Sequence, residues 1–365
     1  MSLKCGIVGL PNVGKSTLFN ALTSSIQAQA ANYPFCTIEP NVGIVNVPDE
    51  RLYKLASIAS SAKILPATVE LVDIAGLVKG ASQGEGLGNK FLNHIREVGA
   101  IILVLRCFED DDITHVNGVI DPVVDAEIIE LELILSDLEI VDRKITTVDK
   151  KSKANVKEAA EIKEFLTKLL NHLSQNKPAR TCADFEVNKH FISDLNLLTA
   201  KPMMYVGNVA EEDSSAGNHH SKALEVYAKS QNSECLIISA KIEAEISLLQ
   251  NEEKKEFMDA LGLKETGLDR IIRSGYKLLD LNSYFTIGPK EARAWTFKSG
   301  ILAPAAAGII HTDFEKGFIR AEVIDYKDYI EIGSEAKIKE LGKMRLEGKE
   351  YAVKDGDVIH FRFNV

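Results

Sequence analysis

Four short, mostly apolar runs predict buried strands in the first two thirds of the chain. They cover residues 5–8, 69–72, 203–206 and 236–238. Runs of this length without strict alternation are typical of strands in a parallel sheet that is covered on both faces. A helix is predicted over residues 17–22, soon after the first run. We therefore expect an α/β domain.

A helical pattern lies between the second and third runs. Apolar residues recur there at spacings of three and four, in two segments separated by the polar stretch 149–161. They are Leu131, Ile134, Leu138, Val141, Ile145 and Val148, then Ile162, Leu166, Leu169 and Leu173. Such seams predict two helices that bury each other's apolar stripes. We predict that residues 128–198 form an antiparallel helical hairpin, inserted into an α/β domain of residues 1–127 and 199–280.

The pattern of residue types changes near residue 281, where short runs of β-branched and aromatic residues become frequent. The runs at 284–287, 292–297, 318–324, 351–353 and 358–363 predict strands. The Asp355-Gly356 dipeptide predicts a turn that joins the last two runs as a hairpin. Helices are expected at 245–261, 268–279 and 303–310. Residues 281–365 are thus predicted to form a small mixed β-sheet domain.

Residues 9–17 carry the pattern G-x-x-x-x-G-K-S between the first predicted strand and helix. In that context it predicts a phosphate-binding loop, because Gly9 and Gly14 allow backbone N–H groups to surround a triphosphate. Lys15 is expected to reach the β- and γ-phosphates, and the Ser16 hydroxyl to bind Mg²⁺. The predicted nucleotide contacts of this loop are Asn12, Val13, Gly14, Lys15, Ser16 and Thr17.

Further motifs follow in the order that a nucleotide switch requires. Thr37 is a candidate switch threonine, expected with Ser16 and Asp73 to hold Mg²⁺. Asp73 and Gly76 form a D-x-x-G motif, in which the Gly76 N–H would sense the γ-phosphate. Many switches place a water-orienting glutamine next, but here the residue is Leu77. An apolar side chain cannot polarise water, so hydrolysis is expected to be slow or to use groups from elsewhere.

The third and fourth apolar runs lead to the places of two base-reading motifs, N-K-x-D and S-A-K. The first motif has lost its lysine to Val209 and its aspartate to Glu211, one methylene longer. Since a site built for hydrogen bonds loses selectivity when those groups are displaced, the pocket has no reason to prefer guanine. Asn208 is expected to contact the base edge and Ala240 to read the base through its backbone. The predicted contacts are Asn208, Val209, Glu211, Ser239 and Ala240.

Seven segments resemble the Obg-like ATPase family, known in bacteria as YchF. They are residues 9–17, 31–41, 73–81, 84–91, 106–111, 303–308 and 311–324. The resemblance covers essentially the whole chain. It implies an ATP-preferring, TRAFAC-class P-loop NTPase of GTPase-like fold that is cytosolic and associates with ribosomes. It also implies that the carboxyl-terminal domain is a TGS domain of ubiquitin-like β-grasp type.

The resemblance also implies roles for particular residues. The family's base motif is N-x-x-E, which corresponds to Asn208 and Glu211. The resemblance further implies that hydrolysis needs a histidine in the loop where His115 lies. The predicted catalytic groups are Lys15, Thr37, Gly76 and His115.

Composition and charge limit the partners. Five cysteines without a C-x-x-C pair favour reduced thiols in the cytoplasm. The apolar runs are too short for a membrane span, and a net charge of −10 argues against DNA binding. Residues 143–157 nevertheless hold six basic residues and one acidic residue, at the predicted hairpin tip. We expect a monomer whose tip contacts ribosomal RNA, on the large subunit.

Two cofactors and three alternative functions are compatible with the sequence. Mg²⁺ is expected with the nucleotide, and Asn12 suggests the hypothesis that K⁺ binds near the phosphates. The leading interpretation is a switch that slowly hydrolyses ATP to ADP and phosphate. The alternatives are a translation-associated enzyme that uses GTP, an adaptor whose nucleotide is structural, and a phosphoryl-transfer enzyme for a small metabolite.

Overall fold

The computed structural model describes residues 3–27, 41–74, 87–115, 118–151 and 156–364. The strands are β1 Lys4–Val8, β2 Val42–Asn46, β3 Ile64–Leu65, β4 Thr68–Asp73, β5 Ala100–Arg106, β6 Met203–Asn208, β7 Cys235–Ile238, β8 Leu281–Ile287, β9 Ala292–Lys298, β10 Phe318–Ile324, β11 Arg345–Glu347 and β12 Val358–Phe363. The helices are α1 Lys15–Gln27, α2 Glu50–Ala59, α3 Leu87–Glu97, α4 Pro122–Lys151, α5 Val156–Leu173, α6 Phe185–Asn188, α7 His219–Ser230, α8 Ala240–Leu248, α9 Asn251–Ala260, α10 Gly267–Leu278, α11 Ala303–Ile310, α12 Thr312–Lys316, α13 Tyr326–Ile332 and α14 Glu335–Glu340. Across these ranges, no helix has both the length and the apolar character that crossing a membrane requires.

The first sheet has the strand order β2-β4-β1-β5-β6-β7. Strands β4, β1, β5, β6 and β7 are parallel, which confirms that the four apolar runs form parallel strands. Burial is complete for the runs in β1 and β6, whereas β4 and β7 are only partly buried. Every residue of β5 and β6 is buried, as expected for central strands covered on both faces. Strand β1 lies between β4 and β5, where the chain order of the strands reverses. The carboxyl ends of parallel strands share one edge, so the motifs after β1, β4, β6 and β7 meet there.

Helices α4 and α5 pack together, as the heptad-type seams predicted. Their shared core includes Ile134, Val141, Phe165, Leu166, Leu169 and Leu173. Two details differ from the prediction. Helix α4 begins at Pro122, earlier than residue 128, and Leu131 is 38% exposed. The reason is that α4 also packs against β5 and α7, and Ala126, Ile129 and Leu133 are its buried positions near that end.

The single helix predicted over residues 245–261 is wrong, because the structure has α8 and α9 instead. The break falls at Leu249 and Gln250, whose ψ angles of 150° and 162° are extended. Gln250 and Glu253 then form a capping box that begins α9. A capping box satisfies backbone N–H groups that a new helix leaves unpaired, so it stabilises a second start at this point.

The second sheet has the order β11-β10-β12-β8-β9-β3 and is mixed, as predicted for the carboxyl-terminal residues. Strands β8 and β9 are antiparallel, β10 and β12 are antiparallel, and β12 runs parallel to β8. The residues of α11 that are buried, Ala303, Ala306 and Ala307, pack in the same core as Tyr284 of β8. Runs 318–324 and 358–363 are strands as predicted.

The predicted strand at 351–353 and its hairpin are wrong. Residue Ala352 makes only an isolated bridge with Leu302. The backbone of the segment pairs with residues 301–303 instead, since the Ala303 N–H donates to the Tyr351 carbonyl at 2.8 Å and the Val353 N–H donates to the Ile301 carbonyl at 3.0 Å. Asp357 supports the segment as well: its Oδ2 atom accepts from the Tyr351 hydroxyl at 2.7 Å and from the Lys354 N–H at 2.9 Å. Gly356, with φ of +90°, does form the predicted turn.

The chain divides into two compact units that differ from the predicted domains. Unit 1 is Met1–Gly43 with Glu70–Ile271, and unit 2 is Ile44–Val69 with Ile272–Val365. The sequence assigned residues 44–69 to the nucleotide domain, but α2 and β3 pack within unit 2. There Arg51 of α2 forms an ion pair with Asp355 at 2.7 Å and lies over the Phe285 ring. This long-range pairing is invisible in the local sequence pattern.

Candidate nucleotide-binding site

The loop between β1 and α1 has the conformation that its glycines were predicted to allow. Asn12 and Gly14 adopt φ angles of +63° and +95°, a region that favours glycine and tolerates asparagine. A Cβ on Gly14 would lie 2.4 Å from the Asn208 amide nitrogen, and one on Gly9 would lie 2.3 Å from the Val104 carbonyl oxygen. Both glycines are therefore required by close approach of other groups.

Lys15 begins α1 and is largely buried, with 7% of its surface exposed. Its ammonium group donates a hydrogen bond to the Leu10 carbonyl across the phosphate loop. Burial lowers the pKa of Lys15 to about 8, although the nearby Asp73 carboxylate opposes that shift. A cation held in this way gains stability when a polyanion enters the loop, because the anion supplies the charge partner that burial removed.

Ser16 and Asp73 meet at the end of β4. The Ser16 hydroxyl donates to Asp73 Oδ2 at 3.3 Å. Burial raises the pKa of Asp73, while Lys15 and the Ser16 hydrogen bond work in the opposite direction. The Oδ1 atom is buried and has no hydrogen-bond partner among the described residues. A hydroxyl beside an orphaned carboxylate oxygen fits a hard cation such as Mg²⁺, which prefers oxygen ligands.

Part of the predicted site lies outside the described residues. Thr37, Gly76 and Leu77 belong to this part, so their predicted roles remain predictions. The flanking residues can be placed: the Asp73 N–H donates to the Asn41 carbonyl at 2.9 Å. Thr17 is described and lies exposed in the first turn of α1.

Asn208, at the end of β6, joins the two halves of the predicted site. Its side-chain nitrogen donates to the Val13 carbonyl of the phosphate loop at 3.0 Å. Its side-chain oxygen accepts from the Ala240 N–H, at the start of α8, at 2.9 Å. The sequence predicted a contact with the base edge and missed this connecting role. The only available signal was that the motif follows a strand whose end was expected beside the loop.

The other residues of the base-reading motifs fall into two groups. Val209 is buried, and its N–H donates to the Ile238 carbonyl at 2.8 Å. Ser239 is also buried, and its hydroxyl has no hydrogen-bond partner among the described residues. Glu211 is exposed and lies 3.1 Å from the Lys241 ammonium, whose pKa its hydrogen bond raises. Glu211 is thus available to a ligand at the surface, in competition with Lys241.

His115 is buried and does not point freely into the phosphate loop. Its Nε2 atom lies 2.9 Å from Asp125 Oδ2, and Asp125 is buried in the first turn of α4. The preceding residue does reach the loop, because the Asn12 amide donates to the Thr114 carbonyl at 3.3 Å. In this conformation the His115 segment touches the phosphate loop, while its imidazole is held by α4.

Arg106 organises the segment that leads to His115, a role the sequence analysis did not assign. It ends the apolar strand β5 with only 1% of its surface exposed. Its guanidinium donates to the Phe108, Ile113 and Asp110 carbonyls at 3.0, 2.8 and 3.0 Å. A buried charge is tolerated only with such partners, so Arg106 fixes the course of this loop. The signal was a lone charge at the end of an apolar run.

Comparison with known proteins agrees with this geometry. A family model described as "50S ribosome-binding GTPase" matches residues 4–179. A second model, YchF-GTPase_C, described as "Protein of unknown function (DUF933)", matches residues 281–364. The "Ribosome-binding ATPase YchF" of Bacillus subtilis (strain 168) is 55% identical over 367 residues, covering 100% of both chains. Its namesake from Escherichia coli O157:H7 is 53% identical over 365 residues, again covering 100% of both.

A solved structure gives the same result in three dimensions. The Schizosaccharomyces pombe YchF GTPase is 38% identical to this chain, with a TM-score of 0.90. The match covers 99% of this chain and 98% of the other. The similarity therefore extends through both units as well as the motifs.

Proposed function

The chain belongs to the YchF family of P-loop nucleoside triphosphatases, and we propose that it is a ribosome-binding ATPase that works as a slow nucleotide switch. The observation that carries the proposal is the cluster at the strand ends: buried Lys15, the Ser16–Asp73 pair and the Asn208 link converge on one edge of the first sheet. Relatives at 53% and 55% identity bear the name ribosome-binding ATPase.

The phosphate-binding part of the proposal assigns one task to each group. Lys15 neutralises the β- and γ-phosphates, and α1 directs its positive end at them. Ser16 and Asp73 would hold Mg²⁺, which when bound neutralises charge on the phosphate oxygens. Lys15→Ala and Ser16→Ala should each abolish turnover. Asn20→Ala, at an exposed position further along α1 and outside the predicted contacts, is the matched control for helix stability. Unchanged turnover in either test variant would contradict the assignment.

The nucleotide preference should favour ATP over GTP. Val209 supplies no donor beside the base, and Glu211 is longer than the aspartate that reads guanine. Titration of the full chain with both nucleotides tests this, and a tenfold preference for GTP, about 1.4 kcal/mol, would refute it. Glu211→Asp should shift the ratio toward GTP, since it restores the shorter carboxylate, whereas the exposed neighbour Glu212→Asp should leave the ratio unchanged.

For hydrolysis we propose that His115 aligns water, in place of the glutamine replaced by Leu77. This requires the imidazole to leave Asp125, its 2.9 Å partner. His115→Ala should lower kcat strongly with little effect on ATP affinity, and His94→Ala, at an exposed histidine of α3, is the control. Equal kcat for His115→Ala and wild type would remove His115 from the reaction. Leu77→Ala should change turnover less than about tenfold, because leucine donates no catalytic hydrogen bond.

A monovalent cation is the next element of the proposal. Asn12 stands at the phosphate loop with its amide directed at the Thr114 carbonyl, 3.3 Å away. We propose that K⁺ binds beside these oxygen-bearing groups and the phosphates and raises turnover. Rates measured in K⁺ and Na⁺ buffers of equal ionic strength test this, and equal rates would exclude it.

The ribosome contact is assigned to the tip of the helical hairpin. Helix α4 has 30 residues, which at about 1.5 Å per residue places the tip about 45 Å along its axis. Part of the basic charge is already paired, since Lys144 lies 2.7 Å from Asp194. The remaining lysines of the tip are proposed to contact phosphates of ribosomal RNA, on the large subunit.

Charge reversal at the tip tests that contact. A triple variant in which Lys150, Lys151 and Lys153 become glutamate should bind ribosomes severalfold more weakly, with a smaller dependence on salt. Reversal of Lys222 and Lys229, two exposed lysines of α7, is the control. Equal binding by the triple variant and wild type would transfer the contact to residues 281–365.

We also propose that the protein is cytoplasmic and monomeric and that it does not bind DNA. Turnover measured with and without ribosomes separates a switch from an adaptor. A switch hydrolyses ATP in at least one condition, and an adaptor with a structural nucleotide hydrolyses it in neither.

A further inference from the structure

A cluster of potential metal ligands lies apart from the residues assigned to the nucleotide. It consists of Glu109, in the loop after β5, and the adjacent residues His219 and His220, which begin α7. One ligand atom from each residue lies within 4.8 Å of the other two. His220 Nε2 is 3.7 Å from Glu109 Oε1, and the two imidazole centroids are 3.8 Å apart.

The backbone that carries the two histidines is fixed. Asn218 caps α7 in a reciprocal capping box with Ser221: its side-chain oxygen accepts from the Ser221 N–H at 3.0 Å, and its own N–H donates to the Ser221 hydroxyl at 2.8 Å. Gly217 precedes the cap with φ of +66°. A ligand pair on a well-capped helix start loses little backbone entropy when it binds an ion.

The backbone that carries Glu109 is fixed from two other directions. Arg106 holds the carbonyls on both sides of it, those of Phe108 and Asp110, at 3.0 Å each. The Asn218 side-chain nitrogen donates to the Cys107 carbonyl at 2.7 Å, which ties this loop to the start of α7. The three ligands are thus brought together by hydrogen bonds that do not involve the ligands themselves.

Two imidazoles and a carboxylate form the donor set that suits Zn²⁺ and its neighbours among the first-row transition metals, and not Mg²⁺. Ligand atoms about 2.0–2.1 Å from a tetrahedral ion lie about 3.3 Å apart. The observed 3.7 Å separation of His220 and Glu109 is close to this value. His219 is exposed, so its side chain can change rotamer and place a ring nitrogen at ligand distance from the ion.

We propose that Glu109, His219 and His220 form a three-ligand site for a transition-metal dication, typified by Zn²⁺, with water in the fourth position. The ion cross-links the loop after β5 to the start of α7. That loop continues to Thr114, whose carbonyl accepts from Asn12 of the phosphate loop. Metal binding therefore stiffens a segment that contacts the nucleotide site. The metal site does not depend on the proposed function, and only its effect on nucleotide turnover rests on that proposal.

The first test is calorimetric titration of Zn²⁺ into the metal-stripped full chain, without nucleotide and in excess Mg²⁺. One saturable site per chain with micromolar or tighter affinity is expected. His219→Ala, His220→Ala and Glu109→Gln should each weaken it at least about tenfold, since even groups that only support a ligand contribute that much. His94→Ala, an exposed histidine of α3, should bind Zn²⁺ like wild type. Circular dichroism and thermal unfolding confirm that each variant folds.

Two outcomes would overturn the site. One is the absence of saturable Zn²⁺ binding below about 1 mM, which corresponds to a negligible affinity. The other is wild-type affinity in any of the three ligand variants. The cross-link has its own readout: Zn²⁺ should slow hydrogen exchange in residues 108–113 of wild type and not of His219→Ala, and unchanged exchange in wild type would refute it. None of these measurements depends on ATP hydrolysis, so they do not fail if the proposed function fails.

Discussion

Asn208 gives the sharpest test of how the nucleotide site is assembled. Asn208→Ala removes a buried side chain that joins the Val13 carbonyl and the Ala240 N–H at 3.0 and 2.9 Å. Both backbone groups then lose their partner. An unpaired buried polar group costs about 1–3 kcal/mol, so two give about 2–6 kcal/mol. We expect the lower half of this range, because truncation opens space beside Gly14 for a water molecule.

Urea unfolding, followed by two probes, measures this change. Trp295 is the only tryptophan in the chain and belongs to unit 2, so its fluorescence reports that unit. Far-ultraviolet circular dichroism reports the helices of both units. The free energy of unfolding from circular dichroism should fall by about 2–4 kcal/mol, with a loss of ATP affinity. Asn171→Ala, at an exposed asparagine of α5, is the control and should stay within about 0.5 kcal/mol.

A near-isosteric variant separates the two hydrogen bonds. Asn208→Asp keeps the acceptor for Ala240 but places a second oxygen against the Val13 carbonyl. Burial raises the pKa of the introduced carboxyl in the folded state, so the variant should regain stability as the pH falls through that pKa. If Asn208→Ala changed the free energy of unfolding by less than about 0.5 kcal/mol, as surface substitutions usually do, then Asn208 would not hold the Val13 and Ala240 backbones together as we infer.

Three further outcomes are expected. Burial lowers the pKa of Lys15 to about 8 and bound phosphates should raise it again, so ATP binding should take up protons between pH 8 and 9 and weaken as the pH rises. Calorimetry in buffers that differ in ionisation heat measures this proton uptake. Binding enthalpies that are the same in every buffer would contradict it. Asp137→Ala should lower stability by about 3 kcal/mol or more, because Asp137 accepts from the Leu198 N–H and from the N–H and hydroxyl of Thr199; an unchanged urea midpoint would exclude it. Arg106→Lys should speed hydrogen exchange in residues 108–113, since an ammonium cannot reproduce the guanidinium fork; wild-type exchange rates would disagree.

The sequence alone determined the features whose causes are local. Residues 9–17 predicted the phosphate loop because a positive φ at Gly14 and the strand and helix beside it are short-range properties. The apolar runs at 318–324 and 358–363 became β10 and β12, because an alternating or continuous apolar pattern defines which faces a strand can bury. The two apolar stripes of α4 and α5 are also local patterns, and their residues pack together as predicted except for Leu131, which is 38% exposed.

The tertiary structure decided every feature whose cause is a distant partner. Residues 44–69 belong to unit 2 because α2 packs against β8 and β9, β3 pairs with β9, and Arg51 meets Asp355. Residues 351–353 do not form the predicted hairpin because their backbone pairs with residues 301–303 instead. The Asn208 side chain bonds to the Val13 carbonyl, and the His115 imidazole bonds to Asp125. In both cases the partner is distant in sequence or on another element, and only the folded chain brings the two groups together. A sequence motif thus predicts which polar groups a residue offers. The tertiary structure decides which hydrogen-bond partner it has, because buried polar groups must be paired and the fold determines which partner is near.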